Sequence, residues 1–129
     1  MTKTSSFRVY YEDTDAGGVV YYANYLKFAE RGRTEYLRES GISQSELAAK
    51  DGILFVVRHV SLDLKKPAKM DDMLDVVTRV EKIAGARIIM EQQILCEGKE
   101  LAHLKVHVAC VSSVMKPVRL PADLKARIA

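Results

Sequence analysis

The chain has 129 residues, enough for one domain (1–129) with a core of its own but not for a cofactor domain beside a substrate domain. With 48% hydrophobic and 29% charged residues it reads as an ordinary soluble globular chain, neither disordered nor fibrous. Its net charge of +3 resides in the tail, where Lys116, Arg119, Lys125 and Arg127 stand against Asp123, so the domain lacks the overall basic field of a nucleic-acid binder.

Strand chemistry is expected first at 7–12 (Phe-Arg-Val-Tyr-Tyr-Glu), broken by the turn residues of 13–18 (Asp-Thr-Asp-Ala-Gly-Gly). From Tyr22 to Arg38 the period becomes helical: Tyr22, Tyr25, Leu26, Phe28, Ala29, Tyr36 and Leu37 make one apolar side. Gly32 falls on that stripe. It costs about 1 kcal/mol of helix propensity against Ala, which suggests a close approach of the helix to a sheet. Gly41 ends this helix, and Ser43 to Glu46 has the spacing of a capping box opening a short second helix to about Lys50.

Beyond Gly52 the chain reads as β to its end, with strands at 53–65, 73–83, 87–97 and 100–115 separated by turns at Lys66-Pro67, Ala84-Gly85 and Gly98-Lys99. Ile88, Met90, Ile94 and Cys96 share one face, as do Ala102, Leu104, Val106, Val108 and Cys110. This order predicts an α+β fold, a curved antiparallel sheet against one long helix. Strands this long need more cover than one long helix supplies, so a dimer pairing two sheets is expected. No apolar run approaches the roughly 20 residues of a membrane helix, and residues 1–6 lack a signal-peptide hydrophobic region, so the expected address is the cytoplasm. Cys96 and Cys110, without CxxC spacing, read as buried thiols of a reducing compartment rather than a zinc site or a disulfide.

The chemically informative segment runs from Tyr10 to Tyr25. It places a carboxylate, Asp15, just before a Gly-Gly turn that leads into a helix. A helix N-terminus offers unpaired N–H groups and a positive dipole end, which can stabilise an oxyanion. A neighbouring carboxylate can attack a carbonyl or activate water. An Asp before Gly is also an ordinary turn, so from the residues alone both readings stand. His103 and His107 are four apart on one strand, about 13 Å, too far to share a metal. Asp13 is assigned to shaping the turn, and Glu30, Arg31, Arg33 and Glu35 to i,i+4 pairs on the helix surface.

The run Asp15-x-x-Gly18-Val-Val-Tyr-Tyr-x-Asn-Tyr25, followed by Glu30-Arg31 and Arg33-Thr-Glu35, resembles the signature of the 4-hydroxybenzoyl-CoA thioesterase group of hotdog-fold enzymes. More narrowly it is similar to the Tol–Pal-associated acyl-CoA thioesterases. Phe55 to Arg58, Asp63 to Ala68, Asp71-Asp72 and Met115 to Pro117 extend the resemblance over nearly the whole chain. It implies a five-stranded antiparallel sheet wrapped around the long helix, and hydrolysis of an acyl-CoA, with a short-chain or aromatic acyl group, without metal or other cofactor. Asp15 is then the catalytic carboxylate, as nucleophile or general base. The backbone N–H of Tyr22 is the oxyanion donor, and Gly18 and Val19 line the substrate between them. Many relatives have His where this chain has Tyr22, a change that keeps the backbone donor. Arg58, Lys65, Lys66, Lys69 and Arg87 are candidate cations for the phosphates of coenzyme A, Arg87 being the one carried forward.

The resemblance also implies a homo-oligomer, a dimer or a dimer of dimers up to a homotetramer, with sites at the subunit interface. Two rivals stay open. A hotdog dehydratase or hydratase needs a His near the central helix, and none occurs before His59. A non-catalytic module docking an acyl carrier protein through the basic tail has no use for Asp15.

Overall fold

In the computed structural model, which describes residues 1–129, the element order is β1 (Thr2–Arg8), a 3-10 turn (Tyr11–Asp13), α1 (Asn24–Glu39), α2 (Gln44–Asp51), β2 (Ile53–Leu64), β3 (Met73–Ala84), β4 (Arg87–Cys96), β5 (Lys99–Ser112) and α3 (Ala122–Ile128). The strands form one five-stranded sheet in the order β1-β3-β4-β5-β2, every neighbouring pair antiparallel. Register shifts at Val57/His59, Val80/Lys82 and Ile94/Leu95 insert bulges. Bulges sharpen twist, which curls a sheet around whatever packs inside it. Here that is α1. This is the curved sheet and central helix expected of a hotdog fold.

Side chains alternate along the strands, so one sheet face carries Leu74, Val76, Ile88, Met90, Ile94, Leu104, Val106 and Val108 inward. Against it α1 buries Tyr25, Phe28, Ala29, Gly32, Tyr36 and Leu37. Each large side chain so buried contributes about 1.5–3 kcal/mol. Tyr22 and Leu26, placed on the apolar side by period alone, are exposed instead. The chain turns into the helix at Tyr22, and Leu26 lies at the margin of the stripe. Gly32 marks the closest approach of helix to sheet: a Cβ there would stand 2.4 Å from Val76 Cγ1 and 3.2 Å from Gln92 Nε2. Gly41, at φ +81°, ends α1, with the Ile42 N–H donating back to Leu37 O at 2.9 Å in a Schellman arrangement.

Several expectations are corrected. The first strand runs over Thr2–Arg8 rather than 7–12, because Asp13 Oδ2 accepts the Tyr10 N–H at 2.8 Å and winds 11–13 into a turn. Its Thr and Ser residues suit an edge strand, where ladder hydrogen bonds to β3 matter more than an apolar face. No capping box forms at α2, since the Ser43 hydroxyl meets Ser45 Oγ at 3.1 Å and makes no cap hydrogen bond. On α1, Glu35 pairs with Arg38, and Arg33 turns inward to Gln92, in place of i,i+4 surface pairs. The chain is not β to its end: α3 buries Leu124 and Ile128, while Lys116, Arg119, Lys125 and Arg127 stay exposed. Cys110 is buried and Cys96 half-buried, both as free thiols, and burial pushes both thiol pKa values up. No helix is long and apolar enough to cross a membrane.

Gly32→Ala is expected to lose about 1–3 kcal/mol of stability in urea unfolding, since overpacking must separate α1 from β3. Tyr36→Phe removes the hydrogen bond from Tyr36 Oη to Ile128 O (2.6 Å) that holds α3. It is expected to cost about 1 kcal/mol globally and to raise amide exchange in α3 more than elsewhere.

Candidate active site

The approach to α1 is a loop held by backbone and side-chain hydrogen bonds. The Asp13 carbonyl accepts from Tyr21 N at 3.0 Å and from Asn24 Nδ2 at 2.9 Å, which ties the start of the loop to the start of the helix. With its carboxylate on Tyr10 N, Asp13 is a buried turn residue, the turn-shaping role expected of it. Across the loop, Asp15 N donates to Val19 O at 2.9 Å and Gly18 N to Asp15 O at 3.0 Å, closing a tight turn around Gly17-Gly18. Gly18 adopts φ +80°, a conformation that glycine reaches without steric cost.

Asp15 differs from Asp13 in surroundings. It is exposed; its Oδ1 accepts the Gly17 N–H at 2.8 Å, and Oδ2 has no partner within the protein. The carboxylate is therefore oriented by one hydrogen bond yet keeps an oxygen free for chemistry. At the start of the helix, Asn24, Tyr25 and Leu26 donate to the carbonyls of Tyr21, Tyr22 and Ala23, while the N–H groups of Tyr22 and Ala23 have no acceptor. These are the orphan donors that a helix start leaves over.

Asp15, Val19 and Tyr22 line one open cleft of about 310 Å³ together with Tyr25, Leu64, Lys66 and Pro67. Gly18 lies in the turn between the first two. The segment after β2 is tied to the loop and the helix: Val20 N donates to Ala68 O at 2.8 Å, and Ala68 N to Tyr25 Oη at 3.0 Å. Burial of Tyr25 pushes its phenol pKa up, so it remains a neutral prop. Lys65 is paired with Glu100, whereas Lys66 carries no ion pair.

Arg87 is not brought to this cleft within one chain. It pairs with Ala109, which pairs in turn with Val56, whereas the cleft residue Leu64 lies eight residues further along β2, about 26 Å away. The three histidines are also elsewhere. His59 and His107 meet across β2 and β5 with ring centroids 5.1 Å apart, and His103 contacts Glu91 at 3.4 Å, all on the sheet face opposite α1. No histidine therefore stands near the helix start, where a dehydratase would need one. The pairing of His59 with His107 depends on the β2–β5 register and had no local signal in sequence. Gln92, on the apolar face of β4, does carry a signal in sequence: a polar residue at a core-facing position of the alternation.

The model of the thioesterase-like superfamily matches residues 9–128. The acyl-CoA thioesterase YbgC of Haemophilus influenzae is 48% identical over 120 residues, covering 92% of this chain and 88% of that protein. A probable thioesterase from Bartonella henselae superposes with a TM-score of 0.91 at 43% identity, covering 94% of this chain and all of the other. A 4-hydroxybenzoyl CoA thioesterase in complex with 4-hydroxybenzoyl CoA superposes with a TM-score of 0.94 over 99% of both chains; at 15% identity that likeness speaks to the fold. Matched over almost its full length by family model, sequence and fold, the chain belongs to the thioesterase-like superfamily, in the hotdog architecture.

Proposed function

We propose that this protein is an acyl-CoA thioesterase, hydrolysing the thioester of a short-chain or aromatic acyl-CoA to the free acid and coenzyme A at the Asp15 cleft. The observation that carries this reading is the joint lining of one cleft by a carboxylate with a free oxygen and a helix start with unpaired N–H groups. The thioester carbonyl oxygen would accept the Tyr22 N–H, which becomes a stronger hydrogen bond as negative charge develops on that oxygen. Asp15 either attacks the carbonyl carbon, expelling the CoA thiolate and leaving a mixed anhydride that water hydrolyses, or removes a proton from the attacking water. The residues present supply donor, carboxylate and cleft without a metal or cofactor.

The wider assembly follows from the same cleft. Asp15 and Tyr22 are exposed in a single chain, and β2 is an edge strand beside them, so a second copy along that edge would enclose the site. A dimer, alone or doubled to a tetramer, is the proposed working form. Any contact of Arg87 with coenzyme A would then come from a neighbouring protomer. Either coenzyme A or an acyl carrier protein could present the thioester through the same phosphopantetheine arm. The free thiols fit a reducing cytoplasm.

Asp15→Asn is expected to lower kcat at least about 100-fold in a thiol-release assay with short and aromatic acyl-CoAs, with the unfolding midpoint unchanged. A folded variant of near-normal activity refutes the assignment. In single-turnover hydrolysis in ¹⁸O-water, label in the Asp15 carboxylate identifies it as the nucleophile, and trapping of an acyl-Asp15 anhydride with hydroxylamine detects that route when water attacks the substrate carbonyl instead. Asp13→Ala strands the Tyr10 N–H and is expected to cost about 1–3 kcal/mol of stability, with kcat reduced because the loop carrying Asp15 loses its anchor.

A further inference from the structure

The β2–β5 register sets His59 directly opposite His107 on the sheet face away from α1. The match depends on the bulge between Val57 and His59. Val57 pairs with Val108, Arg58 is left out of the pairing, and His59 takes the place that Arg58 would hold in an unbroken ladder. The two imidazoles lie with ring centroids 5.1 Å apart and planes at 79°. His59 is exposed and His107 half-buried, so both are reached from solvent. Neither ring enters an ion pair, whereas His103, on the same face of β5, contacts Glu91 at 3.4 Å.

Two unengaged imidazoles side by side present the donors that zinc and other late divalent transition ions bind. Zn–N bonds of about 2.0–2.1 Å, plus about 1.1 Å from nitrogen to ring centre, put two rings about 5.2 Å apart on a tetrahedral ion. The backbone already holds the pair at that separation. Each ring need only turn about Cβ–Cγ, a broad torsion for histidine that barely moves the ring centre.

The neighbours decide whether a cation can sit there. Lys105, two residues before His107, is drawn aside to Glu81 at 3.2 Å. Ile89 faces His107 from β4 and is neutral. Arg58, in the bulge, opposes a cation, but it is exposed and screened by water and salt. No third His, Cys, Asp or Glu is grouped with the pair. A second copy paired along β2 would use main-chain groups in the plane of the sheet, and the imidazoles stand across that plane.

We propose that His59 and His107 form a binding site for a divalent transition-metal ion of the zinc type, held by two imidazole nitrogens with water in its other positions. The site is apart from the chemistry: Leu64, in the wall of the Asp15 cleft, lies five residues along β2, about 16 Å away. A bound ion clips the edge strand β2 to β5.

Calorimetric titration of the full chain with zinc chloride in a non-chelating buffer tests the site. Saturable binding of one zinc per chain is expected, weakened about tenfold or more by His59→Gln and by His107→Gln. Binding is expected to be unchanged by His103→Gln, Cys96→Ser and Asp15→Asn, and by excess magnesium chloride, because Mg²⁺ prefers oxygen donors. Zinc is also expected to raise the urea midpoint of wild type and not of His107→Gln, since an ion bound only by the folded state stabilises it. Should a histidine variant fail to fold, Cu²⁺ broadening of the His59 and His107 ring protons in the wild-type NMR spectrum supports the site, and its absence overturns it. No saturable binding, binding indifferent to both substitutions in folded variants, or binding lost in His103→Gln or Cys96→Ser also overturns it.

Discussion

The position of everything in this protein that bears on chemistry depends on how closely α1 approaches the sheet at Gly32. Without a side chain there, the helix backbone comes down onto Val76, close enough that even a methyl group would collide. That proximity also brings the Ala29 carbonyl within reach of the buried Gln92 amide. Hydrophobic burial alone would let a helix slide or roll on a smooth apolar surface, because it has no direction. A carbonyl-to-amide hydrogen bond at the point of closest approach fixes both, since moving either partner leaves a buried polar group unpaired. From Ala29 it is less than two turns back to the helix start, so the orphan N–H groups of Tyr22 and Ala23 inherit their placement from a contact in the core.

Two aspartates two residues apart then show how surroundings divide one residue type into two jobs. The Asp13 carboxylate is buried on the Tyr10 N–H, and its carbonyl holds both Tyr21 and Asn24. Occupied in this way, it sets the loop and is removed from reaction. Asp15 has one oriented oxygen and one free, at the surface of a cleft. A carboxylate that is to act on a carbonyl or a water must be steered without being satisfied, and of the two only Asp15 meets that condition. Spacing alone could not separate them, because both precede turns. The distinction lies in hydrogen bonds that form only once the loop has closed.

What the sequence made legible is what local periodicity encodes. The helix stripe, the four long strands, the stop at Gly41 and the close approach at Gly32 all follow from spacing and from the conformational reach of glycine. What it hid is tertiary. The first strand lies in Thr-Lys-Thr-Ser-Ser, polar residues that become β by pairing with β3, while the aromatic run after it is wound up by Asp13. The last helix buries only Leu124 and Ile128, with Leu120 just ahead of it, a pattern too short to stand out beside a basic tail. It is held because Tyr36, far away in sequence, donates to its end. Asp15 was visible as a turn residue, but its pairing with the helix start gained weight only from the family signature. Gln92 is masked by its neighbours, because a single polar residue leaves the alternating pattern of β4 intact, although it is the residue on which the helix rests.

The two edges of the sheet are unlike, and that bears on how the cleft is completed. β1 exposes Thr2, Thr4, Ser6 and the charged Arg8 along its length, with no large apolar side chain to invite further pairing. β2 opens as Ile-Leu-Phe-Val-Val, leaves Val57 and Leu64 each 50% exposed, and has no neighbour on its outer side. Left bare, such an edge invites aggregation, so its composition suits a permanent partner better than solvent. Leu64 belongs at once to that edge and to the wall of the Asp15 cleft. Whatever pairs with β2 must therefore also reshape the cleft, and it would exclude water from a carboxylate that is open in the single chain. Exclusion of water strengthens the interaction between the helix N–H groups and a developing oxyanion. In the proposed dimer, assembly along this edge and activation of the site are one event, and a second copy would supply the wall that so short a chain lacks.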